Sequence, residues 1–171
     1  MDQLRDFLAG GTPTRNAETF KLKLIGDTDI EMSREFDAPK HLVFLAHTKC
    51  EHMKRWWGPR GFEFAECSID FREGGKWRIV QRDLEGNLHA FRGEYRRIVP
   101  DELIEWTFEY EGMPGEIAVE TMTLTEKDGR TTLKALSKGP SKEGRDAMVA
   151  SGMEWGARQT WDRLEELATQ L

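Results

Sequence analysis

Residues able to do chemistry are sparse in this 171-residue sequence. Glu120 stands out among them. It shares the parity of Met122 and Leu124 in a segment that alternates like a β-strand. That parity puts it on the face of the apolar residues, where burial would raise its pKa and suit it to general acid or base work. Parity can slip at a bulge, and the reading preferred from the sequence is an outward, solvated glutamate beside Thr121 and Thr123. His89 and Tyr95 lie on strand-like segments from which they also could reach the same face. His47, Cys50 and His52 invite a metal reading. His47 and Cys50 can share a helix face, but His52 points elsewhere, and no second Cys/His pair has zinc-like spacing. They read as surface or helix-junction residues. The sequence holds no Gly-x-Ser-x-Gly elbow, and neither cysteine has a neighbouring base. A strand follows Gly74-Gly75, so that pair reads as a turn, not a phosphate loop. No metal and no cofactor is expected.

The second class of informative residues is aromatic. Six tryptophans and nine phenylalanines supply large apolar areas. Trp77, Trp106 and Phe108 fall on strand-like segments, with Trp106 and Phe108 on one face by their spacing of two. Taken singly, each tryptophan reads as core. Trp57 and Trp155 fit that reading less well, because Trp56 and Met153 would already fill the inward direction. Gly152 and Gly156 sit one turn apart in a helical segment, each costing about 1 kcal/mol against alanine. Either a close helix-to-sheet approach or room for a ligand, with Met153 as an adaptable wall, would explain them.

These residues need elements to position them. Phe20–Leu24 and Ile30–Phe36 alternate like strands, and Asp37-Ala38-Pro39 opens a short helix. A second short helix covers Cys50–Trp56 and ends at Gly58-Pro59. From Gly61 the period becomes two: Phe62–Asp70, Lys76–Arg82, Leu88–Val99, Leu103–Tyr110, Val119–Thr125 and Thr131–Leu136 read as six strands. Their short, turn-rich gaps favour an antiparallel meander. Ser141 then caps a continuous helix of roughly thirty residues, a rod of about 45 Å. One face of that rod collects Val149, Met153, Gly156, Ala157, Thr160, Leu164, Leu167, Ala168 and Leu171. The expected fold is α+β: a curved antiparallel sheet wrapped around a long C-terminal helix, with two short helices after the first strand. Residues 1–19 read as a flexible N-terminal extension, helical around Leu4, Phe7 and Leu8, and 20–171 as a single domain.

Composition narrows the function classes. A net charge of −6 with no long Lys/Arg run argues against a nucleic-acid partner. No stretch approaches eighteen consecutive apolar residues, so no membrane span is expected. Residues 1–16 lack the pattern of a signal peptide. Two cysteines, Cys50 and Cys67, make a disulfide framework unexpected and point to a reducing cytoplasm.

Several motifs together carry a resemblance. Arg34-Glu35-Phe36-Asp37-Ala38-Pro39, Arg55-Trp56-Trp57-Gly58-Pro59 and Asp70-Phe71-Arg72-Glu73-Gly74-Gly75-Lys76-Trp77 resemble bacterial homologues of the heat-shock-protein ATPase activator. Phe91-Arg92-Gly93-Glu94-Tyr95 and Ser151-Gly152-Met153-Glu154-Trp155-Gly156 fit the same pattern, and the likeness runs from about Asp29 to Leu171. The resemblance implies the helix-grip fold of the START and birch-pollen-allergen-like superfamily, also called SRPBCC. Members bind lipids, sterols, polyketides and other hydrophobic molecules, and some branches are cyclases or hydrolases. The eukaryotic namesake stimulates a chaperone ATPase through additional domains, and nothing here resembles its N-terminal chaperone-binding domain. A homodimer is compatible with the superfamily.

Three functional readings follow. The first is a non-catalytic binding domain for a small hydrophobic or amphipathic molecule, walled by Trp57, Trp77, Phe91, Tyr95, Trp106, Phe108, Glu120, Met122, Met153 and Gly156. The second is a cyclase- or hydrolase-type enzyme using an inward acid, and the third is a chaperone-regulating interaction module.

Overall fold

The computed structural model describes residues 15–171. The helical turn expected around Leu4, Phe7 and Leu8 therefore lies outside the described residues. Alternating segments separated by tight turns pair as the meander demands: β1 (Lys21–Ile25), β2 (Asp29–Phe36), β3 (Glu63–Ile69), β4 (Lys76–Arg82), β5 (Leu88–Val99), β6 (Leu103–Tyr110), β7 (Ile117–Lys127) and β8 (Arg130–Lys138). They form one antiparallel sheet in the order β1-β2-β8-β7-β6-β5-β4-β3. Register shifts between Phe64 and Glu66 on β3, and between Tyr95 and Arg97 on β5, are bulges that bend their strands. Helices α1 (Lys40–Leu45) and α2 (Cys50–Trp56) join β2 to β3, whereas α3 (Lys142–Ala150) and α4 (Met153–Ala168) follow β8. The short helices thus come after the second strand and not the first, because Lys21–Ile25 pairs with Asp29–Phe36 as a leading hairpin.

The C-terminal rod differs from the sequence expectation. Ser141 caps α3, its hydroxyl accepting from the Gly144 N–H at 3.0 Å, but the helix stops at Ala150. Gly152 has φ +88°, a left-handed conformation that side-chain-bearing residues rarely adopt, so glycine is needed there for the break itself. A Cβ on Gly152 would meet nothing within 4 Å, so close packing is not the reason for this glycine. The 16-residue α4 is about 24 Å long. It presents Trp161, Leu164, Leu167 and Ala168 to the core, while Leu171, placed on that face by counting through, is 36% exposed.

Buried polar contacts fasten α4 to β2. Arg34, 1% exposed, donates from Nη1 to Asp162 at 2.7 Å and from Nη2 to Glu165 at 3.0 Å. Glu165 also accepts from the Asp37 N–H at 2.7 Å and from Asn16 Nδ2 at 2.6 Å. Arg15–Thr19, assigned to the extension on sequence grounds, forms a 3-10 turn whose Asn16 is buried, so the packed body takes in these residues too. A second correction concerns the cysteines. Cys50 on α2 and Cys67 on β3 are joined as a disulfide, because the Trp56-bearing helix lies against that strand. The two cysteines therefore no longer argue for a reducing compartment. Among the described residues no helix is long and apolar enough to cross a membrane.

Candidate functional site

Strand parity decides what faces inward. Tyr95 on β5 pairs with Trp106 on β6, Trp106 with Glu120 on β7, and Glu120 with Ser137 on β8. Directly opposed residues project from the same side of a sheet with Cβ atoms about 5 Å apart. One row across the sheet thus delivers a phenol, an indole, a carboxyl and a hydroxyl to the concave face. The neighbouring row, Ile104, Met122 and Ala135, is apolar.

Between this face and the helices lies a cavity of about 620 Å³. A space of that size suits a small organic molecule and is far larger than ordinary packing voids. Its sheet wall includes Trp77, Ile79, Phe91, Tyr95, Trp106, Phe108 and Met122; α2 and the loop behind it bring Met53, Trp56, Trp57 and Pro59; α4 brings Met153, Gly156, Ala157 and Thr160. A linked set of rings stiffens the wall: Trp57 to Phe91 at 5.1 Å, Phe91 to Phe108 at 5.5 Å and Phe108 to Trp77 at 5.6 Å between centroids. Such edge and tilted contacts fix aromatic orientation beyond what area burial alone would do. Gly93 permits one of these placements, since a Cβ there would lie 2.6 Å from Trp77 Nε1 and closer still to the Thr107 carbonyl.

All ten residues named from the sequence as candidate walls border this space. Trp155 does not. Gly156 lies across from Pro59, whose Cγ would sit 3.7 Å from an added Cβ, an ordinary contact. Sequence reasoning missed the contribution of α3, which brings Gly144, Arg145, Ala147 and Met148 to the cavity. Counting through position 152 as one helix put Val149 on the inner face, but the break resets the phase, and Met148 lines the cavity instead. The Gly-Met pair at 152–153 was the available signal for that break.

Electrostatics divides the polar lining into partnered and unpartnered groups. Glu120 opens onto the cavity, and among the described residues no hydrogen bond or ion pair reaches it. Burial alone raises its pKa to about 7. Tyr95, 6% exposed, likewise has no hydrogen-bond partner among the described residues, and burial pushes its phenol well above the ordinary value. His47 is lowered to about 4, burial outweighing the hydrogen bond to the Val43 carbonyl. At neutral pH its Nδ1–H donates to that carbonyl, and its ring packs on Trp56 with centroids 4.7 Å apart. Cys50 is held in the disulfide, so the trio weighed as a metal cluster loses its thiolate. At the other end His89 bridges Asp83 and Tyr110, each at 2.8 Å. The hydrogen bond from His89 holds the Asp83 carboxyl below its usual range. Chemically, the centre of the cavity offers one unpaired acid in apolar surroundings, and its rim offers a satisfied polar chain.

Comparison with solved structures supports the architecture. A protein from Rhodobacter sphaeroides superposes with a TM-score of 0.80 at 23% identity, covering 89% of this chain and 99% of that one. A protein from Nitrosomonas europaea gives 0.77 at 24% identity over 86% and 97% of the two chains. One from Chromobacterium violaceum gives 0.71 at 26% identity over 82% and 96%. No curated protein matches the chain. The model of the family described as "Activator of Hsp90 ATPase homolog 1-like protein" matches residues 37–169, and the chain belongs to that family.

Proposed function

We propose that the protein binds a small hydrophobic or amphipathic molecule between its sheet and C-terminal helices. The observation that carries this reading is the cavity of about 620 Å³ whose walls are rings, methionines and aliphatic side chains. Leaving such surface in contact with water forgoes about 25 cal/mol per Å² of burial, which a ligand of matching shape recovers. The SRPBCC-type fold, which commonly accommodates hydrophobic ligands, supports the same reading. Thermal denaturation against a panel of lipids, sterols and polycyclic aromatics tests it. At least one class should raise the melting temperature in a concentration-dependent way. Replacing Ala118 on the cavity wall by Trp should abolish that shift while the protein stays folded. No shift with any class would remove the reading's support.

One observation favours a second reading, proton transfer to a bound molecule: an unpaired acid poised near neutrality faces the cavity. It requires the parent protein, but not Glu120→Gln, to consume a component of a metabolite extract. Equal consumption by both would take Glu120 out of the chemistry.

A further inference from the structure

We propose that the ligand is a hydrophobic amine, an aromatic or alkyl body bearing one ammonium group, with the ammonium seated at the Glu120 carboxylate beside Trp106. This deepens the ligand-binding reading and rests on it. Three other acids wholly or partly shielded from solvent, on either face of the sheet, are each given a partner by the chain. Glu165 meets Arg34, Asn16 and the Asp37 N–H; Glu109 meets Arg92 at 2.7 Å and the Gly115 N–H at 2.8 Å. Glu116, at the edge of the cavity, accepts from the Ser141 hydroxyl at 2.9 Å. Glu120 alone among these four receives nothing from the described residues. A carboxylate enclosed in apolar surroundings either takes a proton or acquires a counter-charge. The described residues supply no counter-charge, so a cationic ligand is what would hold Glu120 ionised.

The rest of the lining selects the sign and shape of that ligand. Arg145 is the one Lys or Arg bordering the cavity among the described residues. Its guanidinium is committed to the Gly26 carbonyl at 2.7 Å and to Asp146 at 3.4 Å. A fatty acid or other anion would meet no free cation and would be repelled by Glu120. An ammonium, by contrast, finds the carboxylate, the Ser137 hydroxyl directly opposite it, and the indole of Trp106 on the other side. Aromatic faces attract cations, indole most strongly, and more so where water is excluded. A neutral alcohol can still bind, accepting from the protonated acid, but it gains no ion pair. The net charge of −6 draws a cation toward the protein from a distance.

Three probes with a common naphthyl body separate these cases: 2-naphthylmethylamine, 2-naphthylmethanol and 2-naphthoic acid, titrated calorimetrically into the full chain at pH 5.5 and pH 8. The amine stays protonated at both. At pH 8 it should bind at least tenfold more tightly than the alcohol, with the acid weakest. Between pH 5.5 and 8 its affinity should rise up to about thirty-fold as Glu120 loses its proton, while the alcohol changes little. His47, His89, Glu116, Arg145, Tyr95 and Tyr110 also border the cavity. Glu120→Gln separates their titration from that of Glu120. The variant, checked for its fold by circular dichroism, should bind amine and alcohol alike and lose the pH dependence. Alcohol binding without preference for the amine, or an amine preference that survives Glu120→Gln, overturns this inference and leaves the ligand-binding reading standing. Failure of all three probes overturns this inference, and the lipid, sterol and aromatic panel then decides the ligand-binding reading.

Discussion

Two inward acids show what divides the molecule. Glu165, on α4, sits where β2, the 3-10 turn and the helix meet, and Arg34, Asn16 and a backbone N–H converge on its carboxyl. Glu120, on β7 at the middle of the sheet, faces a cavity and meets no partner among the described residues. Both lie among packed side chains, and the sequence supplies partners in only one place. The partnered end is a clamp that fixes the helix on the sheet. The unpartnered middle is the part of the molecule on which the proposed ligand binding rests.

The comparison breaks most readily at the clamp. Arg34→Met leaves Asp162 and Glu165 buried without their cation and should cost about 3–5 kcal/mol in urea unfolding. A loss below about 1 kcal/mol would mean that the two ends do not differ as described. Next comes the wall of the hollow side, where the disulfide ties α2 to β3 across 17 residues of sequence. The double variant Cys50→Ser/Cys67→Ser should lose about 3 kcal/mol, as expected for a loop of that length. An unchanged unfolding midpoint in the oxidised and doubly substituted proteins would show that this wall needs no staple.

Glu120 gives the third test, with a defined sign. Its folded-state pKa of about 7 lies above the ordinary 4.5, so the folded protein holds the proton more tightly than the unfolded chain. Stability is therefore full below about pH 4.5 and declines as the pH rises through about 7. Glu120→Gln should lack that decline and be more stable than the parent by about 3 kcal/mol at pH 8, the difference shrinking to about 1 kcal/mol or less at pH 5. Parallel pH profiles for the two proteins would mean that Glu120 is not enclosed. The smallest effect belongs to the hinge between α3 and α4. Gly152→Ala, at φ +88°, should cost about 1 kcal/mol. A stabilised variant would show that the helix prefers to run straight through.

The sequence announced the sheet and half of the site for a simple reason. Period-two alternation survives into the structure wherever a strand has one wet and one dry face, as in Lys76–Arg82, Leu88–Val99 and Leu103–Tyr110, whose limits match those expected. The same parity put Trp106, Phe108 and Met122 on the concave face, and Glu120, preferred as outward from sequence, joins them because no bulge interrupts β7 there. What stayed hidden was set by contacts across long distances. The Cys50–Cys67 pairing needs α2 laid against β3, and the burial of Asn16 needs Glu165, 149 residues away. The helix break was hidden differently, in one backbone angle: helical spacing treats Gly152 as a weak link, whereas its left-handed φ ends one helix and turns the next.

The central claim is that the hollow is meant to be filled. Native mass spectrometry of protein purified without detergent tests it most directly. The account predicts a folded species heavier than the polypeptide by the mass of one small molecule, released on denaturation, together with displacement of that molecule by 2-naphthylmethylamine. A bare polypeptide mass that no hydrophobic amine, alcohol or acid can shift would contradict it.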